Sequence, residues 1–328
     1  MNSHQILGFG DWQYRSVPDW PEIPDNIDFV EGIGVTVDEH NRVYVFNRGN
    51  PPVLVFQPDG QFVEAWGQDF FVRPHGILAT SDATLYLTDD LGHRVAQYTL
   101  DGQFLRNIGP SGVPSDTRVK GFDYRTIAPS GPYNLPTNVA VADDGHLFVS
   151  DGYGNASIHH FNEAGELIRT WGASGQQAGG FQVPHGICVD RQNRILVADR
   201  ENSRIQVFDR EGTLLQLWTD VVRPCQVFHG EDDIFFVAEL GNQNGLFPWL
   251  PRPDEPTGGR VSIFDRDGTL LSRWGGLDAR RLDSFYACHD ICVDSEGSIY
   301  VGEVAVTAAT AAGEDTTGLR TLRKFERV

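Results

Sequence analysis

RPHGILATSDATLYLTDDLGHRVAQYTLDGQFLRNIG, residues 73–109, decides the fold, because the chain repeats it. The same order of features returns in LPTNVAVADDGHLFVSDGYGNASIHHFNEAGELIRTWG (135–172) and in VPHGICVDRQNRILVADRENSRIQVFDREGTLLQLW (183–218). Each unit reads as an apolar strand, a polar turn, a strand such as LFVSD, a Gly/Asn turn, a third strand and a fourth. The turns at Pro58-Asp59-Gly60, Asp101-Gly102, Ala164-Gly165, Glu211-Gly212 and Asp267-Gly268 sit between runs of alternating apolar residues, the short-range signal of a hairpin. Fainter copies begin near Gly32, Arg223 and Ala287, making six units of about 40 residues. A four-stranded sheet of this kind cannot bury both faces alone, so such units stack radially. The expectation is an all-β, six-bladed β-propeller, one domain over residues 1–328.

The last copy shows only three strands, HDICVD, SIYVGEV and LRKFERV. A segment near Gln13-Tyr14-Arg15 is expected to supply the fourth. The N- and C-terminal segments then close the ring and remove an open edge. Three insertions break the period, at 110–132, 241–259 and 305–318. The second, rich in Pro and Gly with Phe247 and Trp249, has the composition of a lid. The third reads as small and flexible.

Composition narrows the partners. The 328 residues carry 26 Lys and Arg against 45 Asp and Glu, a net charge of −19, which argues against nucleic acid or an anionic membrane as partner. Glycine (36) and proline (18) make up about 16% of the chain against a typical ~12%, as many turns and short strands require. No apolar run of membrane-spanning length occurs, and the N-terminus lacks a cationic start followed by an apolar stretch. Four cysteines are too few for a disulfide framework. The expectation is a cytoplasmic monomer.

Residues that carry chemistry need not repeat. At the start of each first strand six positions align: Ile33, His75, Thr137, His185, Cys225 and His289. Histidine occupies alternate units, so three imidazoles face one axis. A lone buried histidine is usually a satisfied core residue. Three at one repeat position, without a fourth protein ligand, match a catalytic zinc site with one position open. A second ring follows strand two. Its acids Asp89, Asp151, Asp199, Glu239 and Glu303 recur and read as turn or capping residues. Arg48, Tyr153 and Arg200 depart from the repeat. Each arginine is either a surface charge paired with a carboxylate or half of an anion clamp. Beside two arginines the Tyr153 phenolate is favoured, which makes Tyr153 a candidate general base.

Taken together, VPHGI, VADREN, FVSDGY and CHDI resemble the NHL-repeat propellers, and among them the peptidyl-α-hydroxyglycine α-amidating lyases, from about Ile33 to Tyr300. The resemblance implies zinc on His75, His185 and His289, Tyr153 as base, and functional roles for Arg48 and Arg200. It also implies a structural calcium held by the carbonyls of Val35 and Ile77 and by Asp290, hard oxygen donors suited to that ion. The implied enzyme is a carbon–nitrogen lyase acting on a small or peptide-derived N-acyl α-hydroxyglycine, giving a primary amide and glyoxylate. Gly154, Leu196 and Val207 stand where secreted animal members have disulfide cysteines, and Cys288 replaces a proline before the last histidine. Three alternatives stay open at this level. They are a zinc lyase or hydrolase for another carbinolamide such as a ureidoglycolate-like substrate, a gluconolactonase-type hydrolase, and a non-catalytic NHL binding module.

Overall fold

The computed structural model describes residues 5–243 and 247–328. Its secondary structure is nearly all strand, arranged as the six sheets of a six-bladed β-propeller. Five blades are four-stranded antiparallel meanders, with first strands at Gly32–Val37, Pro74–Ala79, Pro136–Val141, Pro184–Val189 and Pro224–His229. The sixth begins at Cys288–Val293 and is completed from the other end of the chain. Strand Trp12–Val17 pairs antiparallel with Leu322–Arg327, Tyr14 opposite Arg327, as the sequence predicts. A fifth strand, Leu7–Phe9, extends this sheet further than the repeat implies. It lies against the outer strand of blade 5, where the Phe9 amide donates to Ser272 Oγ at 2.8 Å.

The chain divides into two compact units, Met1–Trp66 with Asp220–Val328, and Gly67–Thr219. The first holds blades 1, 5 and 6, the second blades 2, 3 and 4. Within each unit the first strands of its blades lie side by side. Middle strands such as Leu147–Asp151 and Ile195–Asp199 are buried throughout, because adjacent blades cover both of their faces, and they read as continuous apolar runs. Outer strands such as Leu167–Trp171 are mostly exposed. The glycines of the five hairpin turns all take positive φ, from 81° to 100°, a region costly for any residue with a Cβ.

The insertion at 305–318 corrects its expectation. Residues Ala305–Ala312 form a helix whose Ala305, Ala308 and Ala309 are buried in a cluster with Cys225, Leu240, Tyr286 and Ala287. The small residues that read as flexible are strong helix formers that allow close packing. No helix among the described residues is long and apolar enough to cross a membrane.

Candidate active site

All six aligned positions fall on the second residue of a first strand, and at that point every first strand slips register against its neighbour. The slip lies between Pro74 and Ile77 in blade 2, between Pro184 and Ile187 in blade 4, and between Cys288 and Asp290 in blade 6. A bulge leaves its residue outside the ladder and re-aims the side chain, which makes it a favoured place for functional groups. The position that the sequence aligns is thus the same in every first strand, and the backbone shows how its residue is presented.

In the unit of blades 2–4, His75 Nδ1 stands 2.6 Å from the Thr137 carbonyl oxygen. A carbonyl only accepts, so in the neutral ring Nδ1 carries the proton and Nε2 keeps its lone pair. Thr137 is the post between two histidines: its hydroxyl donates to the carbonyl of Pro184, the residue before His185, at 2.9 Å. Ser150 Oγ donates to the His185 carbonyl at 2.8 Å. Gly152 admits this approach, since a Cβ there would meet the Pro184 oxygen at 2.0 Å. Thr137 and Ser150 are positioning residues: the sequence aligns Thr137 with the histidines but gives it no role, and Ser150 does not depart from ordinary strand composition.

The Tyr153 hydroxyl lies 3.1 Å from His75 Nε2 and 3.0 Å from His185 Nε2. Arg200 Nη1 donates to the same oxygen at 3.2 Å, with its guanidinium 5.3 Å from the ring centroid. Arg200 is buried and paired through Nε with Glu201 at 2.7 Å, so it is no surface charge. The rim also holds residues the sequence did not single out. Arg73 grips the buried Asp90 through Nε (2.7 and 2.9 Å) and Nη2 (2.5 Å), and lies 5.8 Å from the Tyr153 ring. Phe122, from the insertion at 110–132, meets Tyr153 edge-on at 6.3 Å. Arg73 recurs as Arg223 before the first strand of blade 5 but gives way to Leu135 and Val183 in blades 3 and 4, whereas Asp90 aligns with Gly152 and Arg200, a departure that reading by residue type could have caught.

The recurring acids act as anticipated. Asp89 accepts from the Val72 and Arg73 amides, Asp151 from Asn134, Asp199 from Gln182, and Glu303 from Tyr286, each fastening the loop ahead of its blade's first strand. Arg94, Arg204, Arg260 and Arg323 neutralise four of the five buried acids, and His159 stands by Asp151 in blade 3.

In the unit of blades 1, 5 and 6, His289 repeats the arrangement, with Nδ1 2.7 Å from the Ile33 carbonyl oxygen. Arg48 Nη1 donates to the buried Glu31 at 2.8 Å and to Thr307 at 3.1 Å, while its Nε is buried with no hydrogen-bond partner among the described residues. The Asp290 carboxylate accepts from the amides of Val35 (3.0 Å) and Ile291 (2.9 Å), and burial pushes its carboxyl up to about 7. Among the described residues no cationic side chain pairs with it. Val35 and Ile77 lie on the first strands of blades 1 and 2.

The ligand nitrogens of His75, His185 and His289 lie within 4.8 Å of one another, a group that can hold a metal ion. The donor chemistry fits. In two of the three rings a carbonyl fixes the Nδ1 proton and leaves Nε2 as the basic nitrogen, the usual outer-shell arrangement of a metal-bound imidazole.

A family model described as NHL repeat matches residues 181–208. NHL repeat-containing protein 3 of Mus musculus is 30% identical over 72% of this chain and 70% of its own length. Peptidyl-alpha-hydroxyglycine alpha-amidating lyase 1 of Drosophila melanogaster is 31% identical over 82% of this chain and 50% of its own. A solved virginiamycin B lyase from Staphylococcus aureus covers 91% of this chain and 95% of its own at a TM-score of 0.57; at 13% identity it speaks for the fold alone. The chain spans between 31% and 70% of the length of these and the other curated relatives compared.

Proposed function

Since the chain belongs to the NHL-repeat family of β-propellers, we propose that it is a metal-dependent lyase of the amidating kind, cleaving the N–C bond of an N-acyl α-hydroxyglycine to a primary amide and glyoxylate. The observation that carries this reading is the Tyr153 hydroxyl, held within hydrogen-bond reach of two imidazole nitrogens and an arginine. Relatives named as α-hydroxyglycine amidating lyases support a lyase-like activity.

His75, His185 and His289 would hold zinc, which when bound supplies Lewis acidity toward a carbinol hydroxyl. The rest falls to side chains. Tyr153 takes the proton from that hydroxyl, and the C–N bond breaks as the C=O bond of glyoxylate forms. An amide anion is a very poor leaving group, so the proton must reach the nitrogen as the bond breaks; the phenol just formed is the donor in this scheme. Arg200 donates into the phenol oxygen and stabilises negative charge there. Arg48 contributes its buried Nε as a donor for the substrate carboxylate, while Glu31 fixes the guanidinium. Asp290, with the carbonyls of Val35 and Ile77, would hold a structural calcium.

The test is glyoxylate release from α-hydroxyhippurate by the purified chain. Activity is expected, falling to background after chelation and returning with zinc, alongside about one zinc per chain by elemental analysis. An enzyme that turns over equally well without metal overturns the reading, as does a zinc-loaded protein that releases none.

A further inference from the structure

We propose that Phe122 is the acyl-recognition surface of this site, so that its substrates are α-hydroxyglycines with an aromatic or bulky apolar acyl group. The inference deepens the lyase reading, and rests on it for what the acyl group is attached to.

Single exposed apolar residues are ordinary on protein surfaces and call for no function. Phe122 differs in being held. It is 44% exposed, yet the Arg73 guanidinium sits 5.3 Å from its ring centroid and 5.8 Å from that of Tyr153. Arg73 is itself anchored by the fully buried Asp90. Phe122 and Tyr153 meet at 89°, the edge-to-face geometry aromatic pairs prefer.

The segment that delivers Phe122 is also fastened to the loop bearing Tyr153. Thr117 Oγ1 donates to the Gly154 carbonyl at 2.5 Å, and Asn134 Nδ2 donates to Thr117 Oγ1 at 2.8 Å. Asn155 Nδ2 donates to the Ser130 carbonyl at 3.1 Å. An apolar ring is thus fixed beside the hydroxyl that meets both imidazoles. Of the substrate, the carboxylate and carbinol are polar and claimed by the arginines and the base. The acyl group is the part for which an apolar wall has a use.

Calorimetry on the zinc-loaded full chain tests this with two uncleavable probes, N-benzoylglycine and N-acetylglycine. Burying a phenyl ring against Phe122 should make the benzoyl compound bind at least about tenfold tighter. Phe122→Ala should cut that ratio below about threefold, with N-acetylglycine affinity unchanged, and Phe122→Leu should fall between. The residue is half exposed, so both variants are expected to fold. Equal affinities in the wild type, no binding of either probe, or an unchanged ratio in Phe122→Ala overturns the proposal. Glyoxylate release is scored separately: its absence sinks the lyase reading, while the binding ratio still decides whether Phe122 reads the acyl group.

Discussion

At one end of blade 3, strand Leu147–Asp151 runs out into Asp151, Gly152 and Tyr153; at the other it is entered from Asp144, Gly145 and His146. Both ends gather acids, imidazoles and an arginine. The first has Asp151 with His159, and Tyr153 with His75, His185 and Arg200. The second has His146 Nδ1 at 2.8 Å from His160 Nε2, and Asp144 paired with Arg210 at 2.7 Å. A cavity of about 680 Å³ even opens near the second end, lined by Asp82, Asp143, Asp144, Glu163 and Arg106 among others. The difference is in the backbone. At the Tyr153 end the first strand bulges between Pro136 and Asn138, while at the other end it stays in register, Val141 opposite Leu147. At the bulged end buried groups from the two flanking blades, His75 on one side and His185 and Arg200 on the other, meet one phenol oxygen. At the regular end the Asp144 side chain is 49% exposed and its charge cancels pairwise with Arg210. Titratable groups are common; their convergence on one atom is what makes a site.

The largest break in that comparison should come from Tyr153→Phe. It keeps the ring against Phe122 and Arg73 and removes only the oxygen, so kcat should fall about 10²–10⁴-fold, the usual size of a general-base effect. Zinc content and thermal midpoint should hold. Wild-type turnover in this variant, measured as glyoxylate release, would falsify the role given to Tyr153.

A middle-sized effect is expected from Thr117→Val, which keeps the shape and removes the hydroxyl tying the insertion to Gly154. One buried hydrogen bond is worth about 0.5–1.5 kcal/mol, so kcat/KM should drop about three- to tenfold as the Tyr153 loop loosens. Unaltered kinetics would mean that the insertion only rests on that loop.

How much of this was legible beforehand follows from the same contrast. The repeat wrote out blades, turns and ring register because each blade solves the same packing problem with the same residue types. Closure by Trp12–Val17 could be read because a three-stranded remainder needs an edge covered. Departures from the repeat exposed the three histidines, Tyr153, Arg48 and Arg200. The roles of Thr137, which was aligned with the histidines, and of Ser150 were invisible, since they act through a carbonyl and through hydroxyls that any strand may carry. Phe122 was hidden for another reason: it lies in an insertion with no counterpart in other blades, so no alignment of repeats could give it a place. Helix Ala305–Ala312 was misread because alanine serves both loose linkers and tight helices, and only its buried partners decide between them.

The smallest effect should come from the other end of the blade. His160 is stacked on Phe148 at 4.3 Å and faces His146, Arg210, Asp144 and Arg169. Burial, then the positive charge of His146 and Arg210, lowers it from the ordinary imidazole range to about 4. Between about pH 6.5 and 4 the unfolded chain therefore binds a proton at His160 that the folded chain refuses, and the contribution of His160 to stability falls as pH falls through that window. Asp283, held down to about 2 chiefly by its hydrogen bond from Arg281, adds its own loss only below about pH 4. Asp290 and Asp199, raised by burial to about 7 and about 6, titrate in the same window with the opposite sign, so the histidine's share is read by comparing wild type and variant urea midpoints at pH 7 and pH 4.5. His160→Gln should shrink the drop between them while leaving kcat at pH 7 within about twofold. If it instead matched Tyr153→Phe in activity, the regular end of the blade would share in the chemistry, and bulging would no longer explain where the site lies.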